Sequence, residues 1–136
     1  IQRSAGLPDA STQVWLGDSM GEMAAYFALA DVAFIGGSLL PLGGQNLIEA
    51  AACGCPVLVG PHTFNFTQAT DDAIAAGAAK RVLDAAALGR QAGELFSDSA
   101  QLAAMRQSAV AFAAAHRGAT AKTVALIARV MGQAGR

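Results

Sequence analysis

The sequence predicts an α/β fold, in which a parallel sheet carries helices on both faces. Three observations favour this class: short apolar runs alternate with helix-forming segments up to about residue 84, the run before Gly36 is continuously apolar, and glycines close several segments. Strands that alternate with helices along a chain form βαβ units, whose strands lie parallel in one sheet. Beyond residue 84 we expect only helices, so the fold has a helical C-terminus.

The N-terminal part of the chain predicts two strands separated by a helix. Residues 13–18 (QVWLGD) indicate a short strand that ends in a turn, and residues 20–30 indicate a helix because they are rich in helix formers. Residues 31–37 (DVAFIGG) form an apolar run closed by glycines, which is typical of a strand buried on both faces.

The middle of the chain predicts a second helix and a third strand. Residues 46–54 (NLIEAAACG) indicate a short helix, with Asn46 as a candidate N-terminal cap and Gly54 at its end. Residues 56–61 (PVLVGP) indicate a strand bracketed by prolines. The segments that follow are a helix over 65–77, a weaker edge strand over 79–84, and helices over 85–96, 98–116 and 119–133.

Composition and charge bound the possible functions. Hydrophobic residues make up 54% of the chain, which allows a real core, whereas only 14% of the residues are charged. The low charge predicts a surface that something else normally covers. The net charge of −1 gives no reason to expect a nucleic-acid partner. The sequence has no apolar run of about 18 residues, so we predict no membrane-spanning helix.

Cys53 and Cys55 are separated by one residue. A disulfide between such near neighbours would be strained, and two cysteines alone are too few ligands for a zinc site. We therefore expect both to be small core residues in a reducing compartment.

The chain starts with Ile1 in a loop-like stretch rather than with methionine. We expect it to be a fragment of a longer protein or a processed piece.

The stretch FIGGSLLPLGGQN, residues 34–46, contains two glycine pairs between a predicted strand and a predicted helix. Glycine allows positive φ and lets a ligand approach the backbone closely. A glycine-rich turn that leads into a helix presents unpaired N–H groups, which favour an anion. Ligands of parallel sheets bind beyond the carboxyl ends of the strands, where both pairs lie. The pattern therefore predicts a phosphate or nucleotide cradle.

Three polar side chains in this region are candidate ligand contacts. Ser38 offers a hydroxyl donor, Asn46 can cap the helix or donate to a ligand, and the Glu49 carboxylate can accept hydrogen bonds from the vicinal hydroxyls of a ribose. The pattern matches neither the dinucleotide fingerprint G-x-G-x-x-G nor the phosphate-binding loop G-x-x-x-x-G-K-[ST]. A purely structural tight turn and an ordinary exposed helix carboxylate therefore remain alternatives.

Two other stretches place polar residues near predicted strand ends. GDSMGEM, residues 17–23, places Asp18 and Glu22 either in a loop that lines the ligand cleft or, with Ser19, in a capping box. His62, in GPHTFNF, is either a hydrogen-bonded loop residue or a catalyst. The sequence has no serine–histidine–aspartate arrangement that favours a hydrolase and no histidine pair at metal-ligand spacing, so we predict neither a hydrolase nor a metal site.

GDSMGEM and ADVAFIGGSLLPLGGQNLIEAAACGCPVLVGPHTFNF together resemble the C-terminal domain of the 3-deoxy-D-manno-octulosonic acid (Kdo) transferase family of lipopolysaccharide synthesis. The resemblance is dense from about Val14 to Phe66 and looser from there to the end. A family pattern of approximately GDTxGE…ADxAFVGGSLVxxGGHNxLE…GxPVxxGPHTxNF is matched nearly position by position. Two departures are Gln45, where the family has histidine, and Ser19, where it has threonine.

The resemblance implies a GT-B fold, with two Rossmann-like domains that face each other across a cleft. Such an enzyme transfers Kdo from the donor CMP-Kdo to a lipid A precursor at the cytoplasmic face of the inner membrane of a Gram-negative bacterium. The C-terminal domain holds the donor, and the N-terminal domain holds the acceptor, the membrane contact and the general base. Residues 1–136 would be part of the C-terminal nucleotide-sugar-binding domain, soluble and inactive alone, without a catalytic residue, cofactor or metal of their own.

The same resemblance divides the expected site residues into two groups. At the two positions that depart from the family pattern, Gln45 can form hydrogen bonds but cannot carry a proton as the family's histidine can, and Ser19 keeps the hydroxyl of the family's threonine. The donor-binding group comprises Gly36, Gly37, Ser38, Gly43, Gly44, Gln45, Asn46 and Glu49. The neighbouring cleft loop comprises Gly17, Asp18, Ser19, Gly21 and Glu22.

Two other functions remain open at the level of the sequence. A GT-B transferase or epimerase that uses a UDP-sugar also has a glycine loop and a ribose-binding glutamate at this point of the fold, although GPHTFNF argues against it. A non-catalytic α/β module would keep the fold as an interaction piece. We also expect self-association, because the sheet and the final helices of a GT-B protein pack partly against its other domain.

Overall fold

The structure is a computed structural model that describes the backbone of residues 1–134 and the side chains of these residues except 119–122, 133 and 134. In this part of the chain, six α-helices and one short 3-10 turn accompany a three-stranded parallel sheet. The elements are, in chain order, α1 (Met23–Leu29), β1 (Ala33–Phe34), α2 (Ile48–Ala52), β2 (Val57–Val59), α3 (Thr67–Ala75), β3 (Ala79–Arg81), α4 (Ala85–Ser97), α5 (Ser99–Ala115) and α6 (Ala119–Ala134).

The three strands lie in the sheet in the same order as in the sequence, and both neighbouring pairs are parallel. Ala33 of β1 lies opposite Val57 of β2, and Val57 lies opposite Ala79 of β3. Helix α2 connects β1 to β2 and α3 connects β2 to β3, which makes two consecutive βαβ units. The predicted α/β class is confirmed, as is the position of β3 at an edge of the sheet.

Strand β2 lies at the centre of the sheet, and its side chains enter two separate clusters of buried residues. Val57 and Val59 belong to a cluster with alanines of α2 and α5. Leu58, which lies between them in the chain, belongs to a second cluster with Leu95 of α4 and Met105 of α5. Because successive side chains of a strand point to opposite faces, helices cover both faces of the sheet at β2, as predicted.

Two aspartates begin the helices of the C-terminal part. The Asp84 carboxylate accepts a hydrogen bond from the N–H of Ala87 at 2.7 Å, and the Asp98 carboxylate accepts one from the N–H of Gln101 at 2.9 Å. Each carboxylate satisfies a helix N–H that lacks an intrahelical partner, so α4 and α5 are separate helices. The predicted break near residues 97–99 and the final helix are confirmed.

Among the described residues, no helix combines the length and the apolarity that a membrane span requires.

One predicted strand does not form, and the other three are shorter than predicted, β1 by the most. Residues 13–18 make a single bridge, between Gln2 and Leu16, within the described part of the chain. One bridge cannot replace the ladder of hydrogen bonds that a strand needs. Strand β1 extends over two residues rather than over 31–37. The prediction that this strand is buried on both faces was wrong, because β1 is an edge strand here and Phe34 is 38% exposed.

The two cysteines differ in their surroundings, although both thiols are free. Cys55 is fully buried in the core, and this burial raises the pKa of its thiol. Cys53 is only half-buried and lines a surface groove beside Arg106 and Val110 of α5. The prediction of a small core residue is therefore confirmed for Cys55 and was wrong for Cys53, because the groove leaves its side chain partly open.

Candidate functional site

A cleft of about 430 Å³ lies at the carboxyl end of β1, between α1 and the start of α2. Helix α1 supplies Met23 and Phe27, which form an apolar wall. Ligands of parallel α/β sheets bind beyond the carboxyl ends of strands, so this cleft is the candidate functional site. Its lining residues are Met23, Phe27, Phe34, Ile35, Gly36, Gln45, Asn46 and Glu49.

The polar wall of the cleft is formed by side chains at the start of α2. The Asn46 amide nitrogen donates to Oε1 of Glu49 at 3.1 Å, and the Asn46 amide oxygen accepts from the N–H of Ile48 at 3.0 Å. The N-cap is Leu47 rather than the predicted Asn46, but the Asn46 side chain still satisfies the first N–H of α2 from one residue earlier. It also holds the Glu49 carboxylate beside the cleft. Gln45 and Glu49 are both exposed, so a ligand can reach their polar groups.

The two glycine pairs contact each other across the loop. The N–H of Gly44 donates to the carbonyl of Gly37 at 3.3 Å. Gly37, Gly43 and Gly44 have φ values of 73°, 90° and 71°, which other residues rarely adopt. Gly36 differs from them. A Cβ atom at Gly36 would meet no described atom within 4 Å apart from the chain neighbours, so its backbone borders open space where a ligand can approach.

Ser38 lies behind the glycine loop rather than in the cleft. Its side chain is fully buried. The hydroxyl donates to the carbonyl of Ile35 and accepts from the N–H of Gly60 at 2.8 Å. The expected hydroxyl contact with a ligand is therefore absent from the described arrangement, because the hydroxyl is used inside the protein. Ser38 instead fastens the glycine loop to the end of β2.

The second glycine pair rests on Asn65, a residue that sequence reasoning did not select. The Asn65 side-chain amide donates to the carbonyls of Leu42 and Gly44 at 3.3 and 3.5 Å. Its backbone N–H donates to the carbonyl of Gly43 at 3.2 Å. A Cβ atom on Gly43 would overlap the Asn65 amide, so glycine is needed there for space as well as for φ. The signal for Asn65 in the sequence is the asparagine of GPHTFNF.

The predicted second loop, before α1, contacts the first residues of the chain. The Asp18 carboxylate accepts hydrogen bonds from the backbone and the hydroxyl of Ser4, which lower the pKa of Asp18. The pKa of Glu22 is lowered chiefly by a hydrogen bond from Ser19 and also by Arg3, whose guanidinium lies 3.3 Å away. In the described part of the chain, the cleft lining contains none of the predicted loop residues Gly17, Asp18, Ser19, Gly21 and Glu22.

His62 lies outside the cleft lining, in a second cavity of about 300 Å³ at the carboxyl end of β2. Thr63 and Arg81 line the same cavity. The structure therefore separates His62 from the polar wall formed by Asn46 and Glu49. Within residues 1–134, no group of three or more histidine, cysteine, aspartate or glutamate side chains is placed to hold a metal ion.

Curated relatives of this chain include 3-deoxy-D-manno-octulosonic acid transferases. No protein-family model matches the chain. The 3-deoxy-D-manno-octulosonic acid transferase of Bordetella pertussis is 54% identical over 125 residues, which are 90% of this chain and 29% of that protein. The transferase of the same name from Haemophilus influenzae is 51% identical over 69 residues, which are 50% of this chain and 16% of that protein. The chain thus spans less than a third of the length of these curated relatives.

A solved structure is similar over most of the chain. It is the crystal structure of the C-terminal CMP-Kdo binding domain of WaaA from Acinetobacter baumannii. The match has a TM-score of 0.77 and 35% sequence identity, and it covers 82% of this chain and 59% of that chain. In sequence and in fold, this chain is therefore a homologue of the C-terminal domain of the 3-deoxy-D-manno-octulosonic acid transferases.

Proposed function

We propose that this chain is the donor-binding part of a Kdo transferase and that it binds CMP-Kdo in the cleft between α1 and the start of α2. The observation that carries the proposal is the convergence of Gly36, Gln45, Asn46 and Glu49 on one cleft. This cleft occurs in a chain that is 35% identical to a domain described as CMP-Kdo binding.

The chemistry of the cleft suits a nucleotide joined to a sugar. The open backbone at Gly36 lets a phosphate approach main-chain N–H groups. The Glu49 carboxylate, held by Asn46 at 3.1 Å, accepts hydrogen bonds from the vicinal hydroxyls of the ribose. Gln45 supplies a neutral hydrogen-bond donor at the position where the family pattern has histidine. Met23 and Phe27 give the cleft an apolar side against which the donor can pack.

The complete enzyme, in this proposal, transfers Kdo from CMP-Kdo to a lipid A precursor at the cytoplasmic face of a bacterial inner membrane. The resembled family carries the acceptor site, the membrane contact and the general base on its N-terminal domain. Removal of the proton from the acceptor hydroxyl requires that base. We therefore expect this chain alone to bind the donor without transferring the sugar.

Calorimetric titration of the chain with CMP, and with UMP and UDP for comparison, tests the proposal. We expect selective CMP binding that weakens about tenfold in Glu49→Gln, because the variant keeps the size but loses the charged acceptor for the ribose hydroxyls. Glu94→Gln is the matched control, since Glu94 is an exposed glutamate of α4 that pairs with Gln91.

The comparison nucleotides separate this proposal from the other functions. Tighter binding of UDP than of CMP would favour an enzyme that uses a UDP-sugar. A chain that binds none of the three nucleotides would contradict donor binding and would favour a non-catalytic module. Equal losses in Glu49→Gln and Glu94→Gln would show that the ribose does not contact α2.

A further inference from the structure

Arg81, the last residue of β3, ties together the loop that follows β2. Its Nη1 donates to the carbonyls of Gly60 and Pro61 at 3.1 and 3.4 Å and to the hydroxyl of Thr63 at 3.2 Å. Its Nη2 donates to Oδ1 of Asp71 on α3 at 3.0 Å. One guanidinium group therefore holds three residues of this loop and joins them to α3.

That loop in turn supports the second glycine pair. The N–H of His62 donates to the carbonyl of Ser38 at 2.9 Å. A Cβ atom on Gly44 would lie 3.5 Å from the carbonyl oxygen of His62 and 3.8 Å from Cα of Thr63, so the two backbone segments are in close contact. The Asn65 amide, just beyond the loop, donates to the carbonyl of Gly44. The position of the glycine turn therefore depends on the position of the loop after β2.

Gln45 and Asn46 follow Gly44 directly and line the cleft. We propose that Arg81 is a positioning residue of the donor site, because by fixing residues 60–63 it sets where the glycine turn places Gln45 and Asn46. This inference rests on the function proposed above for the cleft. It adds a residue outside the cleft lining, on the strand farthest from β1 in the described sheet.

The alternative to a positioning role is that Arg81 only forms a surface ion pair with Asp71. The Asp71 side chain is 59% exposed, and exposed pairs contribute little to stability. The guanidinium bonds the loop and Asp71 at the same time, because Nη1 faces the loop and Nη2 faces the carboxylate, whereas lysine has a single donor nitrogen. Arg81→Lys keeps a positive charge near Asp71, but one ammonium on a shorter side chain cannot take the places of both Nη1 and Nη2, so we expect it to pair with Asp71 and to lose the loop bonds. Asp71→Asn removes the ion pair and keeps the loop bonds.

The test compares these two variants with the unmodified chain by backbone amide NMR and by titration with CMP. We expect Arg81→Lys to shift the amide signals of Gly44, Gln45 and Asn46 and to weaken CMP binding about tenfold, as the loss of a hydrogen bond to a charged group does. We expect Asp71→Asn to leave those signals in place and to change the affinity by less than about twofold. Thermal unfolding of each variant verifies that it folds.

The outcomes separate this inference from the proposed function. Signals of Gln45 and Asn46 that stay in place in Arg81→Lys would overturn the inference, and so would equal changes in both variants. An unmodified chain that does not bind CMP would contradict the proposed function, while the NMR comparison would still decide whether Arg81 positions the turn. If Arg81→Lys fails to fold, Thr63→Ala removes one loop bond of Arg81 and gives the same comparison.

Discussion

The hydroxyl of Ser38 and the N–H of Gly60 form a buried hydrogen bond of 2.8 Å between the glycine loop and the end of β2. The two backbones approach so closely that a Cβ atom on Gly60 would overlap the carbonyl oxygen of Ser38. This contact holds the glycine loop against the sheet. It also explains why a serine that belongs to the glycine motif is closed to a ligand.

Replacement of Ser38 is expected to lower the free energy of unfolding. In Ser38→Ala the buried N–H of Gly60 loses its acceptor, and an unsatisfied buried donor costs about 1–3 kcal/mol. Urea unfolding followed by circular dichroism measures the change. Ser99→Ala, at an exposed serine of α5, is the control and should change stability by less than about 0.5 kcal/mol. A loss in Ser38→Ala no larger than that of the control would contradict the structural role.

Substitution of Gly36 is expected to affect binding rather than stability. The variant Gly36→Ala adds a methyl group where the described chain leaves open space, at a residue without positive φ. Its free energy of unfolding should change by less than about 1 kcal/mol, whereas CMP binding should weaken about tenfold because the methyl group occupies the approach of the phosphate. Gly89→Ala, at an open position in α4, is the matched control. Unchanged CMP affinity in Gly36→Ala would place the phosphate elsewhere.

Introduction of histidine at position 45 is expected to make donor binding depend on pH. In Gln45→His an imidazolium forms as the pH falls through about 6.5 and attracts the phosphate, so CMP affinity should rise several-fold between pH 8 and pH 5.5. Calorimetry at both pH values measures the change. The CMP affinity of the unmodified chain at the same two pH values accounts for protonation of the phosphate itself. Identical pH profiles for the two chains would show that residue 45 lies away from the phosphate.

The contact between the first residues of the chain and the loop before α1 is expected to open in acid. Hydrogen bonds lower the pKa of Asp18 and of Glu22 in the folded chain. A carboxyl whose folded pKa is depressed stabilises the contact at pH values above its unfolded pKa, and this contribution disappears as the pH falls through the folded pKa. Opening should therefore begin below about pH 4.

Fluorescence of the single tryptophan measures this opening. The Trp15 indole donates to the carbonyl of Gly6 at 3.3 Å, and its ring lies 5.5 Å from that of Tyr26, so its environment changes when the segment opens. In Asp18→Asn the neutral side chain cannot titrate, and the acid transition should be smaller. A fluorescence change that coincides with global loss of helix by circular dichroism would contradict local opening.

Self-association of the chain stays a prediction, and exposed leucines beside the glycine loop support it. Leu40, Leu42 and Leu83 are 64%, 64% and 75% exposed and border one groove. Light scattering should give a mass above 13.7 kDa that rises with concentration. Leu83→Lys should lower the mass measured by light scattering, whereas Leu7→Lys, at an equally exposed leucine, should leave that mass unchanged. A constant mass of 13.7 kDa would contradict the prediction.

Local sequence patterns predicted most helices and strands because their signals act within a few residues. Gly54 and Gly77, with φ of 70° and 75°, follow the ends of α2 and α3, where a left-handed residue terminates a helix. The Asp98 carboxylate begins α5 through a hydrogen bond three residues along the chain. The same locality accounts for Asn46, whose partners Ile48 and Glu49 are its near neighbours. Residues of the cleft that adjoin one another in sequence could therefore be predicted together.

The sequence by itself determined the alternation of strands and helices, the positions of the glycines and the polar residues at the start of α2. Only the tertiary structure decided that Ser38 faces Gly60, 22 residues away, and that Arg81 reaches the loop after β2. It also decided that residues 13–18 pair too little to form a strand. These outcomes depend on which distant backbone comes within hydrogen-bond distance, and that is set by the packing of whole elements rather than by a local pattern.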